Sequence, residues 1–129
     1  MTSSWTRNLV LLVDGLRSAI ELAIARVRLG EMPDGAAVTL KALSPDQDGL
    51  VERVAYAIPR VAARVPWRAD CLVQASAARR WLASHGIGST IHFGVPKTKQ
   101  PAFEAHAWLT VGERVVTGGD ISGYIPLER

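Results

Sequence analysis

One cysteine, Cys71, is all the thiol chemistry that 129 residues hold. A lone thiol excludes an intramolecular disulfide and a multi-cysteine zinc site, which leaves a nucleophile or an inert packed residue, since free cysteine is among the most buried types. Long apolar runs are missing as well. The stretch from Leu9 to Leu29 is rich in apolar residues and holds Ala23-Ile24-Ala25, similar to a signal-peptidase site, yet Asp14, Arg17, Glu21 and Arg26 interrupt it. Its longest uninterrupted run, Leu9 to Val13, falls far short of the roughly 20 residues of a spanning helix. The expectation is a chain with no leader and no membrane segment, and its unpaired cysteine suits a reducing cytoplasm. No block of one charge is present either, the formal net charge being +3. The densest basic stretch, Arg60, Arg64, Arg68, Arg79 and Arg80, lacks interleaved aromatics and reads as a solvated helix face rather than a nucleic-acid surface. There is no internal repeat and no low-complexity tract.

What is there is globular: 48% hydrophobic and 21% charged residues, enough for one domain with a real core. Leu9, Val13, Leu16, Ile20, Ala23 and Val27 recur at helical spacing and predict a first helix, its stripe facing the protein's own core and its end at Gly30. Met32-Pro33-Asp34-Gly35 reads as a loop, and Ala36 to Leu43 is ambiguous. Ser44-Pro45-Asp46-Gln47 then has the form of a capping box with proline at the first helical position, so a second helix starts near Pro45. Its apolar positions Leu50, Val54, Ile58, Val61 and Val65 run through Pro59, which removes a backbone donor and is expected to kink or divide it.

A third helix is predicted from Asp70 or Cys71 to Ser84, stopped at His85-Gly86, with Cys71, Ala75, Ala78 and Leu82 on one face. Small residues at that spacing let a helix press closely on a sheet. Beyond Gly88 the pattern alternates: Ile91, Phe93 and Val95 face one way and Thr90, His92 and Gly94 the other. Pro96 to Pro101 reads as a hairpin loop, Phe103 to Val111 as a second strand, Gly112-Glu113 as a tight turn, and Arg114 to Thr117 as a third strand. Gly118-Gly119 breaks that strand just before Asp120, and the tail to Arg129 reads as mostly irregular.

Cys71, His106 and Asp120 thus stand on separate elements in the order that thiol catalysis needs: a nucleophile, an imidazole to take and return a proton, and an acid to orient the imidazole. A helix amino end favours a thiolate through its dipole and free N–H groups. Asp70 beside the thiol is awkward unless it caps the helix, which is the favoured reading. His85 is explained as a helix-terminal cation and His92 as a polar strand residue. Glu104, His106 and Trp108 share a strand face, so Trp108 is placed to shelter the imidazole. An inert buried cysteine remains the alternative at this level.

Several segments together carry a resemblance. They are Arg64-Val65-Pro66-Trp67-Arg68-Ala69-Asp70-Cys71-Leu72, Ala77-Ala78-Arg79-Arg80-Trp81-Leu82, Ile91-His92-Phe93-Gly94-Val95, Ala105-His106-Ala107-Trp108-Leu109 and Asp120-Ile121-Ser122-Gly123-Tyr124-Ile125-Pro126-Leu127. From about residue 50 to 129 the chain resembles the lasso-peptide leader peptidases, transglutaminase-like cysteine proteases of bacterial ribosomal-peptide biosynthesis. The resemblance implies an α+β, papain-like or transglutaminase-like core, with N-terminal helices and a cysteine-bearing helix packed on a small antiparallel sheet. It makes Cys71 the nucleophile, His106 the general base and Asp120 the orienting acid. On this reading residues 1–129 form one protease domain, with 1–49 a helical extension and 50–129 the catalytic core.

The activity implied is hydrolysis of one peptide bond, removing the leader from a lasso precursor and freeing the core amine for a partner cyclase. No metal or organic cofactor is called for, since a thiol and an imidazole suffice. Residues 1–49 are too few for the leader-recognition domain fused to longer members, so a separate recognition protein is implied as partner, with neither nucleic acid nor membrane involved. The alternatives are a thiol acyltransferase that clears the thioester with an amine, and a non-catalytic interaction module on the same fold. The oxyanion is expected on the Cys71 backbone N–H and one further donor, which the sequence does not identify; Trp67 reads as structural packing.

Overall fold

The structure, a computed structural model, describes residues 4–27, 42–67, 69–97 and 105–127. The predicted stop at Gly30, the loop Met32 to Gly35, most of the stretch Ala36 to Leu43, Arg68, most of the loop Pro96 to Pro101, and Phe103 and Glu104 lie outside the described residues. Three helices, α1 (Ser4–Val27), α2 (Pro45–Ala62) and α3 (Cys71–Ala83), precede four strands, β1 (Thr90–Pro96), β2 (His106–Val111), β3 (Arg114–Thr117) and β4 (Tyr124–Pro126). The strands form one antiparallel sheet in the order β3-β2-β1-β4; α2 and α3 pack on it and α1 packs against those two helices, an α+β arrangement.

Local chemistry sets the helix starts. The Ser44 hydroxyl accepts from the Gln47 N–H at 3.2 Å while the Gln47 side chain accepts from the Ser44 N–H at 3.0 Å. This reciprocal box satisfies two donors that a helix start leaves open and contributes about 1 kcal/mol. Pro59 does not divide α2, which continues to Ala62. Proline falls so near the end that only the bond to the Ala55 carbonyl is forgone, and the chain turns away a few residues later. Asp70 caps α3, its Oδ1 accepting from the Val73 N–H at 3.1 Å. The small face of α3 is buried as expected, with Ala75, Ala78 and Leu82 inaccessible and Cys71 half-buried at its head.

The first helix is turned over relative to the sequence reading. Leu9, Val13, Leu16, Ile20 and Val27, predicted to face the core, are exposed, and α1 instead buries Asp14, Ser18, Glu21, Leu22 and Ala25. Charge pairing explains the inversion. Arg53 of α2 grips Asp14 with both arms, Nε to Oδ2 at 2.9 Å and Nη2 to Oδ1 at 2.6 Å. Glu21 lies between Arg17 at 3.0 Å and Arg80 of α3 at 3.0 Å. The hydrogen bond to Asp14 holds the Arg53 guanidinium above its ordinary range, against the opposing pull of burial. With arginines fixed on both neighbouring helices, the carboxylates are stabilised facing inward, whereas a buried carboxylate without its partner costs several kcal/mol. Leu22 and Ala25 still join the core made by Leu50, Val51, Val54 and Ile58 of α2, Val73 and Leu82 of α3, and Leu109 and Val116 of the sheet.

The hairpin from β2 to β3 turns at Gly112-Glu113, with Val111 opposite Arg114 and Gly112 in the left-handed region at φ 59°. One strand escaped the sequence reading. The tail is not irregular throughout: Tyr124–Pro126 pairs with β1 at Gly94, Val95 and Pro96. A three-residue strand that owes its existence to a distant partner leaves no alternation to read. Away from the helical core, the Trp108 ring lies over Gly94, where an added Cβ would sit 2.7 Å from it.

Candidate active site

Cys71 opens α3, where backbone N–H groups have no partners within the helix, and its Sγ accepts from the Ala107 N–H of β2 at 3.4 Å. Pairing between β2 and β3 reaches only as far as Leu109 opposite Thr117, so Ala107 lies past the end of that ladder, and its N–H serves the sulfur. His106, the neighbouring residue, lines the same cleft as Cys71. That cleft has a volume of about 470 Å³ and is walled by Ala55 and Pro59 of α2, Gln74 of α3, and Val115 to Gly119. Gln74, one turn beyond Cys71, donates from Nε2 to the Ala69 carbonyl at 3.1 Å.

Three groups contact the imidazole. It stacks on Trp108 at 6.0 Å and on Tyr124 of β4 at 4.6 Å between ring centroids, and Nε2 lies 2.7 Å from the Gly118 carbonyl oxygen. Trp108 is buried, so water is kept from that face of the ring. His92 also stacks on Trp108, at 5.6 Å between ring centroids, and its Nε2 lies 2.8 Å from the Thr110 hydroxyl.

Two of the three residues singled out in the sequence, Cys71 and His106, therefore meet in one cleft. No thiol–imidazole hydrogen bond forms among the described residues. Asp120 is placed otherwise: it is exposed, and its Oδ1 accepts from the Ser122 N–H at 3.0 Å. Hydrogen bonds from the Ser122 backbone and hydroxyl hold the Asp120 carboxyl below the usual carboxylate range, a small burial effect opposing them. Among the described residues the hydrogen-bond partner of the imidazole is the Gly118 carbonyl, and no contact joins Asp120 to His106. Sequence reasoning took Gly118 for a strand breaker and gave no role to Tyr124 or the Ala107 N–H, because backbone groups and stacking partners carry no residue-type signal. Trp67 packs against the helical core, its indole Nε1 buried without a hydrogen-bond partner among the described residues.

Residues 15–129 match the Transglutaminase-like superfamily. The chain belongs to that family. The match takes in most of α1 as well as the elements that carry the cleft. Transglutaminase-like folds serve cysteine peptidases and transglutaminases, which share acyl transfer to a thiol. Neither the curated proteins nor the solved structures gave a match. Among the described residues, no helix is long and apolar enough to cross a membrane, and no group of three His, Cys, Asp or Glu side chains is placed to hold a metal ion.

Proposed function

We propose that this transglutaminase-like protein is a cytoplasmic cysteine peptidase that removes the leader from a lasso-peptide precursor. The observation that carries the reading is the shared cleft, with Cys71 at a helix start and His106 stacked against two aromatic rings. In this mechanism His106 takes the thiol proton and the Cys71 thiolate attacks the carbonyl before the scissile bond. The oxyanion is met by the Cys71 N–H. The tetrahedral intermediate then collapses, His106 returns the proton to the departing core amine, and the leader stays as a thioester on Sγ. Water, deprotonated by His106, clears the thioester. Asp120, which the resemblance makes the orienting acid, is two residues from the carbonyl that holds the ring. Its charge supports the imidazolium across the glycine turn, a modest effect for a solvated group.

The recognition partner has a candidate surface. Trp5, Leu12 and Leu16 of α1 are 73%, 71% and 65% exposed, within a continuous apolar face of the kind that marks protein contacts. We assign this face to the separate leader-recognition protein, with the cyclase acting on the freed amine afterwards.

Mass spectrometry of precursor incubated with enzyme and recognition protein in H₂¹⁸O tests the proposal. The expected result is a free leader carrying one ¹⁸O in its new carboxylate, with Leu12→Glu abolishing stimulation by the recognition protein. A leader joined to an added amine, with no ¹⁸O, would instead mean an acyltransferase.

A further inference from the structure

We propose that the backbone carbonyl of Gly118 is the positioning group that sets the His106 tautomer, an inference that rests on the peptidase reading for its catalytic meaning. A carbonyl oxygen can only accept, so the 2.7 Å contact requires the hydrogen on Nε2. In the neutral ring Nδ1 is then the lone-pair nitrogen, and it alone can take the Cys71 proton. Proton transfer breaks the S–H bond, forms Nδ1–H, and leaves the Nε2–H on Gly118. In the next step the same Nδ1–H passes to the leaving amine.

The carbonyl is where it is because residue 118 is glycine. Its φ of 108° is a conformation that side chains disfavour. An added Cβ would lie 2.3 Å from the Trp108 Cβ and 3.0 Å from the Trp108 Cα. Neither atom can swing aside, since both are fixed to β2. The chain therefore leaves the β3 ladder at this point with its carbonyl turned to the imidazole, while Ala107, beyond the same ladder end, keeps its N–H for the sulfur. One glycine thus arranges the surroundings of both reacting groups. Asp120, bonded to Ser122 and exposed, is not needed to choose the tautomer.

Nitrogen-15 NMR of the folded protein, at a pH where the ring is neutral, reads the tautomer directly. The expected result is an Nε2–H signal for His106 with a through-hydrogen-bond coupling to one ¹³C-labelled glycine carbonyl, retained in Asp120→Ala. In precursor cleavage, Asp120→Ala is expected to lose less than about tenfold. Gly118→Ala is expected to lose more than about a hundredfold, in kcat rather than KM, as for a group that acts on the base. An Nδ1–H tautomer, absence of the glycine coupling, or loss of the Nε2–H signal in Asp120→Ala overturns the assignment even if Gly118→Ala does not fold. Because these signals are read without turnover, their failure in an active peptidase removes only the Gly118 role. Their success in a protein that cleaves nothing leaves the tautomer assigned and the peptidase reading in default.

Discussion

Cys71→Ala is expected to abolish precursor cleavage, a fall of at least about 10³-fold, while leaving the fold intact. Thiol catalysis has no second route here, because the chain holds no other cysteine. Little structure depends on the sulfur. Cys71 is half-buried, alanine is the best helix former, and the Asp70 cap that starts α3 acts through the Val73 N–H rather than through the thiol. Among the described residues the one hydrogen bond lost is the weak Ala107 N–H to sulfur contact, so stability should change by less than about 1 kcal/mol. Cleavage followed by mass spectrometry, with a thermal melt on the same sample, separates the two effects. A variant that melts normally and cleaves nothing fits a nucleophile; a non-catalytic module would show no cleavage in the wild type either.

Trp108→Ala is expected to lower stability by about 3–5 kcal/mol, the range for deleting a large buried aromatic side chain. For a chain of this length that corresponds to a melting point lower by about 10–20 °C. The upper part of the range is expected because the ring's neighbours cannot fill the space it leaves. Gly94 faces it without a side chain, at a position where even a Cβ would collide with the ring. Two stacking partners, His92 and His106, lose their support at the same time. Cleavage should drop too under conditions where the variant is still folded, since the imidazole then keeps only Tyr124 and the Gly118 carbonyl. Urea unfolding with an unchanged slope measures the first effect. A loss below about 1 kcal/mol would mean that the ring is not the keystone of this face of the sheet.

Legibility of the fold in the sequence followed how local each cause was. The capping box at Ser44 and Gln47, the Asp70 cap, the turn at Gly112 and the break at Gly118-Gly119 depend on residues a few positions apart, and each stands where the sequence put it. The orientation of α1 did not follow, because it was decided by Arg53 and Arg80 on other helices, and apolar periodicity has no knowledge of them. The strand at Tyr124 was hidden for the same reason, its hydrogen-bond partners being on β1. In the site, side-chain chemistry pointed to Cys71 and His106, which share the cleft. The partner of the imidazole was invisible because it is a backbone carbonyl, a group every residue has.

Exposure of α1 also bears on how such a protein works. A helix whose charged side faces its own domain and whose apolar side faces outward is costly to leave bare, and a partner that delivers the substrate would cover it. On the function proposed above, the thiol and the α1 face belong to one device, in which chemistry waits on delivery.

The most direct measurement uses the solitary thiol without any mutation. Wild-type protein is treated with iodoacetamide, the modified residue is mapped by mass spectrometry, and precursor cleavage is followed as labelling proceeds. The account predicts one carbamidomethyl group, on Cys71, with activity falling in direct proportion to the labelled fraction. Fully alkylated protein that still released the leader would contradict it.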